Sequence, residues 1–136
     1  MPHLLMASSE RALFVAAGIA GCLAVTFGAF GAHALRSYLA ALADGESRMR
    51  VWETAAHYHA IHALALAVAG YLAGRVPSPG LPAAAGVCFG VGIVLFSGSL
   101  YALSLTGVRA LGAITPFGGL AFIAGWALIA LAAWRA

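Results

Sequence analysis

Apolar positions fill four long stretches of the chain, and the polar positions within them gather at one end of each stretch. The stretches run over about 12–35, 51–73, 81–105 and 111–134. A bilayer core of roughly 30 Å takes about 20 apolar residues in helical form, so each is long enough to cross. The runs are rich in Ala and Leu and lack the two-residue alternation of a barrel wall. In hydrocarbon a helix satisfies its own backbone, which makes it the expected element. Two of the connections are short, so neighbouring helices should run antiparallel. The pattern predicts an all-α integral membrane protein, a single domain over 1–136 forming an antiparallel four-helix transmembrane bundle with both ends on one side.

Two junctions need a closer reading. Between Arg36 and Arg50, Leu35, Tyr38, Leu39 and Leu42 keep a helical spacing beside polar neighbours, which predicts a short interfacial helix broken at Asp44-Gly45. At Thr115-Pro116, Thr suits a helix cap and Pro the first helical position. The alternative is a helix that starts near Ala110 and kinks at Pro116. Trp52 and Trp134 suit membrane boundaries.

Composition removes whole classes of function. Hydrophobic residues make up 63% of the chain and charged residues 8%, against about 25% charged in soluble domains. The surface therefore belongs against membrane lipids. The net charge of +3 comes from seven basic residues, all Arg, against four acids. They form no basic cluster that could follow a phosphate backbone, so no nucleic-acid partner is expected. Arg11, Arg75 and Arg135 stand on the side of the termini, and Arg36, Arg48, Arg50 and Arg109 on the other. This near tie leans slightly towards termini outside. Cys22 and Cys88 lie inside apolar runs and read as small core residues. Ile19-Ala20-Gly21-Cys22 matches a lipoprotein cleavage box, yet Leu23 to Phe30 stays apolar, which argues against processing there.

Small residues recur at helical spacing: Gly21, Gly28 and Gly31 in the first stretch, Gly86 and Gly90 in the third, Gly118 and Gly125 in the fourth. Such rows let membrane helices approach closely, and all seven are expected at packing interfaces.

The polar residues define a candidate site. Thr26 and His33 lie in the loop-side half of the first helix, beside Glu53, Thr54, His57, Tyr58, His59 and His62 of the second. Ser97, Ser99, Tyr101 and Ser104 add to them from the third, with Arg109 and Thr115 at the fourth. Intramembrane polar groups are costly and face the interior. Glu53 and His57, four apart, share a face and suit a carboxylate–imidazole bond. His59 and His62 project from the opposite side. A metal site would have to combine His33, His59 and His62, with zinc or copper the suited ions; two histidines on different helices could instead hold a haem. Three-residue spacing is only weakly specific, so buried structural hydrogen bonding is the favoured reading and no cofactor is expected. His33 and His62 should face protein, and Arg109, flanked by Gly107 and Gly112, should turn inward.

These residues also carry a resemblance. Gly28-Ala-Phe-Gly31-Ala-His33-Ala-Leu35, Trp52-Glu-Thr54-Ala55, Tyr58 and His62-Ala-Leu-Ala65 are similar to the YgdD/YwdK-like family of small inner-membrane proteins, domain of unknown function 423. So are Leu95-Phe-Ser97-Gly98-Ser99-Leu-Tyr101, Thr115-Pro116-Phe-Gly118-Gly119 and Gly125-Trp126. The resemblance covers nearly the whole chain. It implies a multi-pass protein of the bacterial inner membrane with cytoplasmic termini and no established activity. Its pattern includes His33, Trp52, Tyr58, His62, Ser97, Tyr101, Arg109, Thr115 and Pro116. His57 is outside that pattern, and His59 stands where the family commonly has Gln.

Three functions compete. A structural or accessory membrane protein, beside a larger complex or as a homo-oligomer, fits the glycine rows. A small proton-linked transporter or carrier would need an intramembrane carboxylate, for which only Glu53 is available. An enzyme is not expected, since no Ser-His-Asp set, paired carboxylates or nucleotide loop is present.

Overall fold

A computed structural model of the protein describes residues 6–136. Within them the chain is all-helical. Helix α1 is continuous over Ser8–Leu39, α2 covers Gly45–Ala73, α3 Gly80–Thr106 and α4 Thr115–Trp134. The helix expected at the interface near Tyr38 is instead the last turn of α1, held there because Leu35 and Leu39 are buried against Met49 and Trp52. A close turn follows: a Cβ on Gly45 would overlap the Leu39 carbonyl. α2 starts six residues before its apolar run, with Glu46, Arg48 and Arg50 in its opening turns.

Two of the helices contain a π-helical segment, Gly31–Leu35 in α1 and Ile93–Gly98 in α3. Pro82 is tolerated in the first turn of α3, where its missing N–H removes no helical bond. α3 ends at Gly107, whose φ of +74° is the left-handed conformation that favours glycine. A 3-10 segment, Arg109–Ala113, then leads into α4 with Pro116 in the first turn. Pro116 thus begins the helix without kinking it. Thr115 does not cap it, however; Ile114 holds the cap position and no side chain bonds there.

Ser8–Leu39, Gly80–Thr106 and Arg109–Trp134 are long and apolar enough to cross a membrane. α2 does not reach that level, because three histidines and its charged opening turns dilute the apolar run. Yet α2 is the centre of the molecule. It buries twelve residues, against three in the Ser8–Phe30 part of α1. One core lies at the end of the chain termini, with Leu13, Leu66, Ala69, Phe89 and Phe122. The other lies at the α1–α2 turn, with Leu35, Trp52, Ala55 and Tyr101. The outer faces are apolar: Val25 is 76% exposed and Leu64 71%. The described ends lie together, Glu10 beside Gly74 and Arg135 beside Pro77.

The glycines divide into two groups. A Cβ on Gly31 would overlap Trp52, on Gly86 Leu13, on Gly118 the Phe96 backbone, and on Gly125 the Phe89 ring. Gly21, Gly28 and Gly90 have no neighbour within 4 Å of that position. These three therefore do not close an interface; they line outward-facing grooves.

Candidate functional site

The polar layer is built around α2, whose buried face repeats at Arg48, Trp52, Ala55, His59 and His62. Trp52 lies over Gly31, and its Nε1–H donates to the Phe27 carbonyl at 2.9 Å. That carbonyl belongs to the turn where α1 changes from α to π winding. Ser97 in the π segment of α3 is fully buried and donates to the Ala55 carbonyl at 2.9 Å. Ser104 donates to the Arg48 carbonyl at 2.8 Å, while Arg48 returns bonds from Nε to the Ser104 carbonyl and from Nη2 to that of Leu105. Arg48 thus caps α3, whose last carbonyls have no helical partner. Asp44 lies 3.6 Å from its Nη1. Ser99 and Thr115 share a hydroxyl–hydroxyl bond of 2.8 Å between α3 and α4.

The two buried histidines occupy separate surroundings. His62 Nδ1–H donates to the Tyr58 carbonyl at 2.7 Å, which leaves Nε2 as the acceptor of Trp126 Nε1–H at 3.2 Å. Its ring lies flat on Phe122, with centroids 3.4 Å apart. His59 Nδ1 meets the Tyr101 hydroxyl at 3.2 Å. His59 Nε2 is the one buried side-chain polar atom without a hydrogen bond among the described residues. Tyr101 itself packs edge-on to Phe27 and close to Trp52.

Several expected members lie elsewhere. His33 is exposed on the outer side of α1, about 200° round the helix from the buried Gly31 at 100° per residue. Arg109 is also exposed; no residue of the 3-10 segment is buried, and the inward arginine is Arg48. Glu53 bonds to Arg36 at 2.9 Å rather than to His57, and both partners are more than half exposed. His57 is exposed. Tyr58 is 39% exposed but keeps its ring near His62, Phe96 and Phe122. Among the described residues no hydrogen bonds link His33 to His62: Tyr101 bonds His59, and His62 bonds the Tyr58 carbonyl and Trp126. Among the described residues no three His, Cys, Asp or Glu side chains gather to hold a metal ion, so His33, His59 and His62 do not form the three-imidazole set. Arg48 was legible only as a charge. Its place on the Trp52–Ala55–His59 face was the signal that it turns inward.

A family model described as "Protein of unknown function (DUF423)" matches residues 27–119, the stretch that holds this polar layer. The chain belongs to the DUF423 family. Among DUF423 relatives, it is similar to the UPF0382 membrane protein YwdK of Bacillus subtilis, 44% identical over 123 residues that cover 90% of this chain and 96% of YwdK. The UPF0382 membrane protein SH2409 of Staphylococcus haemolyticus is 42% identical, over 90% of this chain and 96% of its own length. The UPF0382 inner membrane protein YgdD of Escherichia coli is 38% identical, over 93% and 92% respectively. No solved structure matches. This DUF423 chain is therefore a membrane protein of a family without an established activity.

Proposed function

We propose that this protein is a non-enzymatic accessory protein of the bacterial inner membrane, a four-span bundle that stands beside a membrane partner. The carrying observation is how the polar layer is used. Trp52, Ser97, Ser99, Ser104, Arg48 and His62 each bond a different helix of the same chain. Their donors hold helices together, and interhelical bonds of this kind act as glue in lipid. Glu53, the carboxylate a transporter would need, is paired with Arg36 at an exposed edge. The crossing of α2 is supported by its inward histidines, since polar groups in a membrane face the bundle interior.

The groove between α1 and α2 supplies a contact surface for that partner. It has a volume of about 660 Å³ and is floored by Gly18, Gly21, Gly28, Ala56, Ala60 and Ala63. Small residues admit a second helix at close range. Cytoplasmic termini complete the reading. Purification of tagged protein from native membranes, with cysteine cross-linking from Gly21→Cys, tests it. A reproducible adduct with a second chain or a second copy is expected. A monomer without adducts that takes up a solute saturably would refute the proposal.

A further inference from the structure

The side of α2 turned away from the bundle carries a second stripe, about 180° round from the face of Arg48, Trp52 and His59. From the loop end inward it reads Glu46, Arg50, Glu53 and His57, then Ile61 and Leu64, all exposed. Arg50 bonds Glu46 along the helix, and Arg36 of α1 bonds Glu53. Each carboxylate uses only its Oε1 in these bonds, so its second oxygen stays open, as do Nε and Nη2 of Arg50. Thr54 turns its hydroxyl back to the Arg50 carbonyl at 3.0 Å. A hollow of about 470 Å³ lies over Arg50, Glu53, His57 and Tyr58.

His57 is the member that needs an explanation. α2 ends at Ala73, and about 30 Å of hydrocarbon counted back from there reaches Glu53. His57 therefore stands about 6 Å inside the apolar zone, on the lipid side. Its ring meets Tyr58 edge-on, and no protein group among the described residues bonds either nitrogen. Polar groups at such depth are costly and ordinarily face the interior. An acceptor for this imidazole has to come from the bilayer itself.

Charge and order narrow the choice. Arg36 and Arg50 cancel Glu46 and Glu53, and an anionic head would meet two carboxylates beside its phosphate. A zwitterionic head matches the stripe group by group, provided its cation carries N–H bonds that a carboxylate can accept. A second copy fits less well: a two-fold axis along the membrane normal would set Glu46 beside Glu46 and Arg50 beside Arg50. We infer that the stripe binds one glycerophospholipid with a primary-ammonium head. Its ammonium lies outermost on Glu46, its phosphate on Arg50, an ester carbonyl on the His57 N–H, and its chains along Ile61 and Leu64. The inference rests on α2 crossing the membrane, as in the four-span reading, and not on the accessory role.

Native mass spectrometry of the full protein, released from neutral detergent with graded lipid, reads the affinities. Dioleoyl phosphatidylethanolamine should bind about fivefold tighter than the matching phosphatidylcholine or phosphatidylglycerol, the worth of one interfacial ion pair. Glu46→Gln should remove that advantage, and Arg50→Gln should weaken all three lipids. His57→Leu should weaken ester-linked phosphatidylethanolamine but not its ether-linked analogue, which has no ester carbonyl. All three side chains are exposed, so the variants should melt close to the parent. Equal affinity for the three lipids would overturn the inference, as would an advantage that survives Glu46→Gln. Displacement by chain-free phosphoethanolamine at equal concentration would assign the site to a soluble compound instead, and a lipid-free dimer would assign the stripe to a second copy; either result overturns the inference. The crossing is checked separately by labelling His57→Cys in nanodiscs with a water-soluble maleimide, after Cys22→Ser and Cys88→Ser. Slow labelling without lipid selectivity would sink the inference alone, whereas labelling as fast as at Ala43→Cys would sink the four-span reading with it.

Discussion

Alanine at Gly118 and alanine at Gly28 should have opposite consequences, although both sites are helical glycines in rows of small residues. A Cβ on Gly118 would stand 2.8 Å from the Phe96 Cα and closer still to its nitrogen. Carbon atoms in contact sit about 3.5–4.0 Å apart, so α3 and α4 would have to separate by about 1 Å. The obstacle is backbone within a π segment, which cannot rotate away as a side chain can. Overpacking of this kind costs about 1–3 kcal/mol. At Gly28 nothing lies within 4 Å, and alanine brings only its helix preference, about 1 kcal/mol. That preference is common to both variants and cancels in their comparison. Gly118→Ala should therefore unfold about 1–3 kcal/mol more easily than Gly28→Ala when helicity is followed through mixed-micelle denaturation. Coincident midpoints for the two would refute the close α3–α4 crossing.

Arg48→Met removes two charge-assisted bonds to the end of α3 and should lower stability by at least about 1.5 kcal/mol in the same assay, whereas Arg109→Ala should stay within about 0.5 kcal/mol of the parent; the reverse order would exchange their roles. Ser97→Ala removes one interhelical bond while the Ala55 carbonyl keeps its helical partner, and a loss of about 0.6 kcal/mol is expected, with about 1.7 as the upper limit. Glu53→Gln weakens an ion pair more than half exposed and should change stability by no more than about 1 kcal/mol; loss of proton-coupled solute uptake in vesicles would instead restore the transporter reading.

The all-helical class was legible because apolar runs of this length permit little else. The facing of individual side chains was less so, and the reasons are local. His33 was expected inward only because it is polar; at 100° per residue it stands about 200° round α1 from Gly31, which lies against Trp52. Arg109 sits in a 3-10 segment whose backbone follows the surface. Glu53 and His57 do share a face, but Arg36 on another helix competes for the carboxylate, and no spacing within α2 reveals that. The glycine rows were visible while their division into closed crossings and open grooves was not, since a missing side chain serves both. The Ser97–Ala55, Ser99–Thr115 and Arg48–Ser104 bonds join distant parts of the chain, so only the assembled fold pairs them.

The placement of the least apolar helix at the centre has a consequence for biogenesis. On the four-span reading, α2 leaves the ribosome with two inward histidines whose side-chain partners, Tyr101 and Trp126, are still to be made. α1 precedes it, but Phe89, Ser97 and Tyr101 belong to α3, and Phe122 and Trp126 to α4. The first half of the molecule is thus an unfinished insertion intermediate, dependent on chain not yet synthesised. A stop after Val76 should yield a product that extracts from membranes more readily than full-length protein and is cleared by membrane proteases. Co-expression of the remaining segment should rescue it, because the two halves meet through side chains that lipid cannot replace.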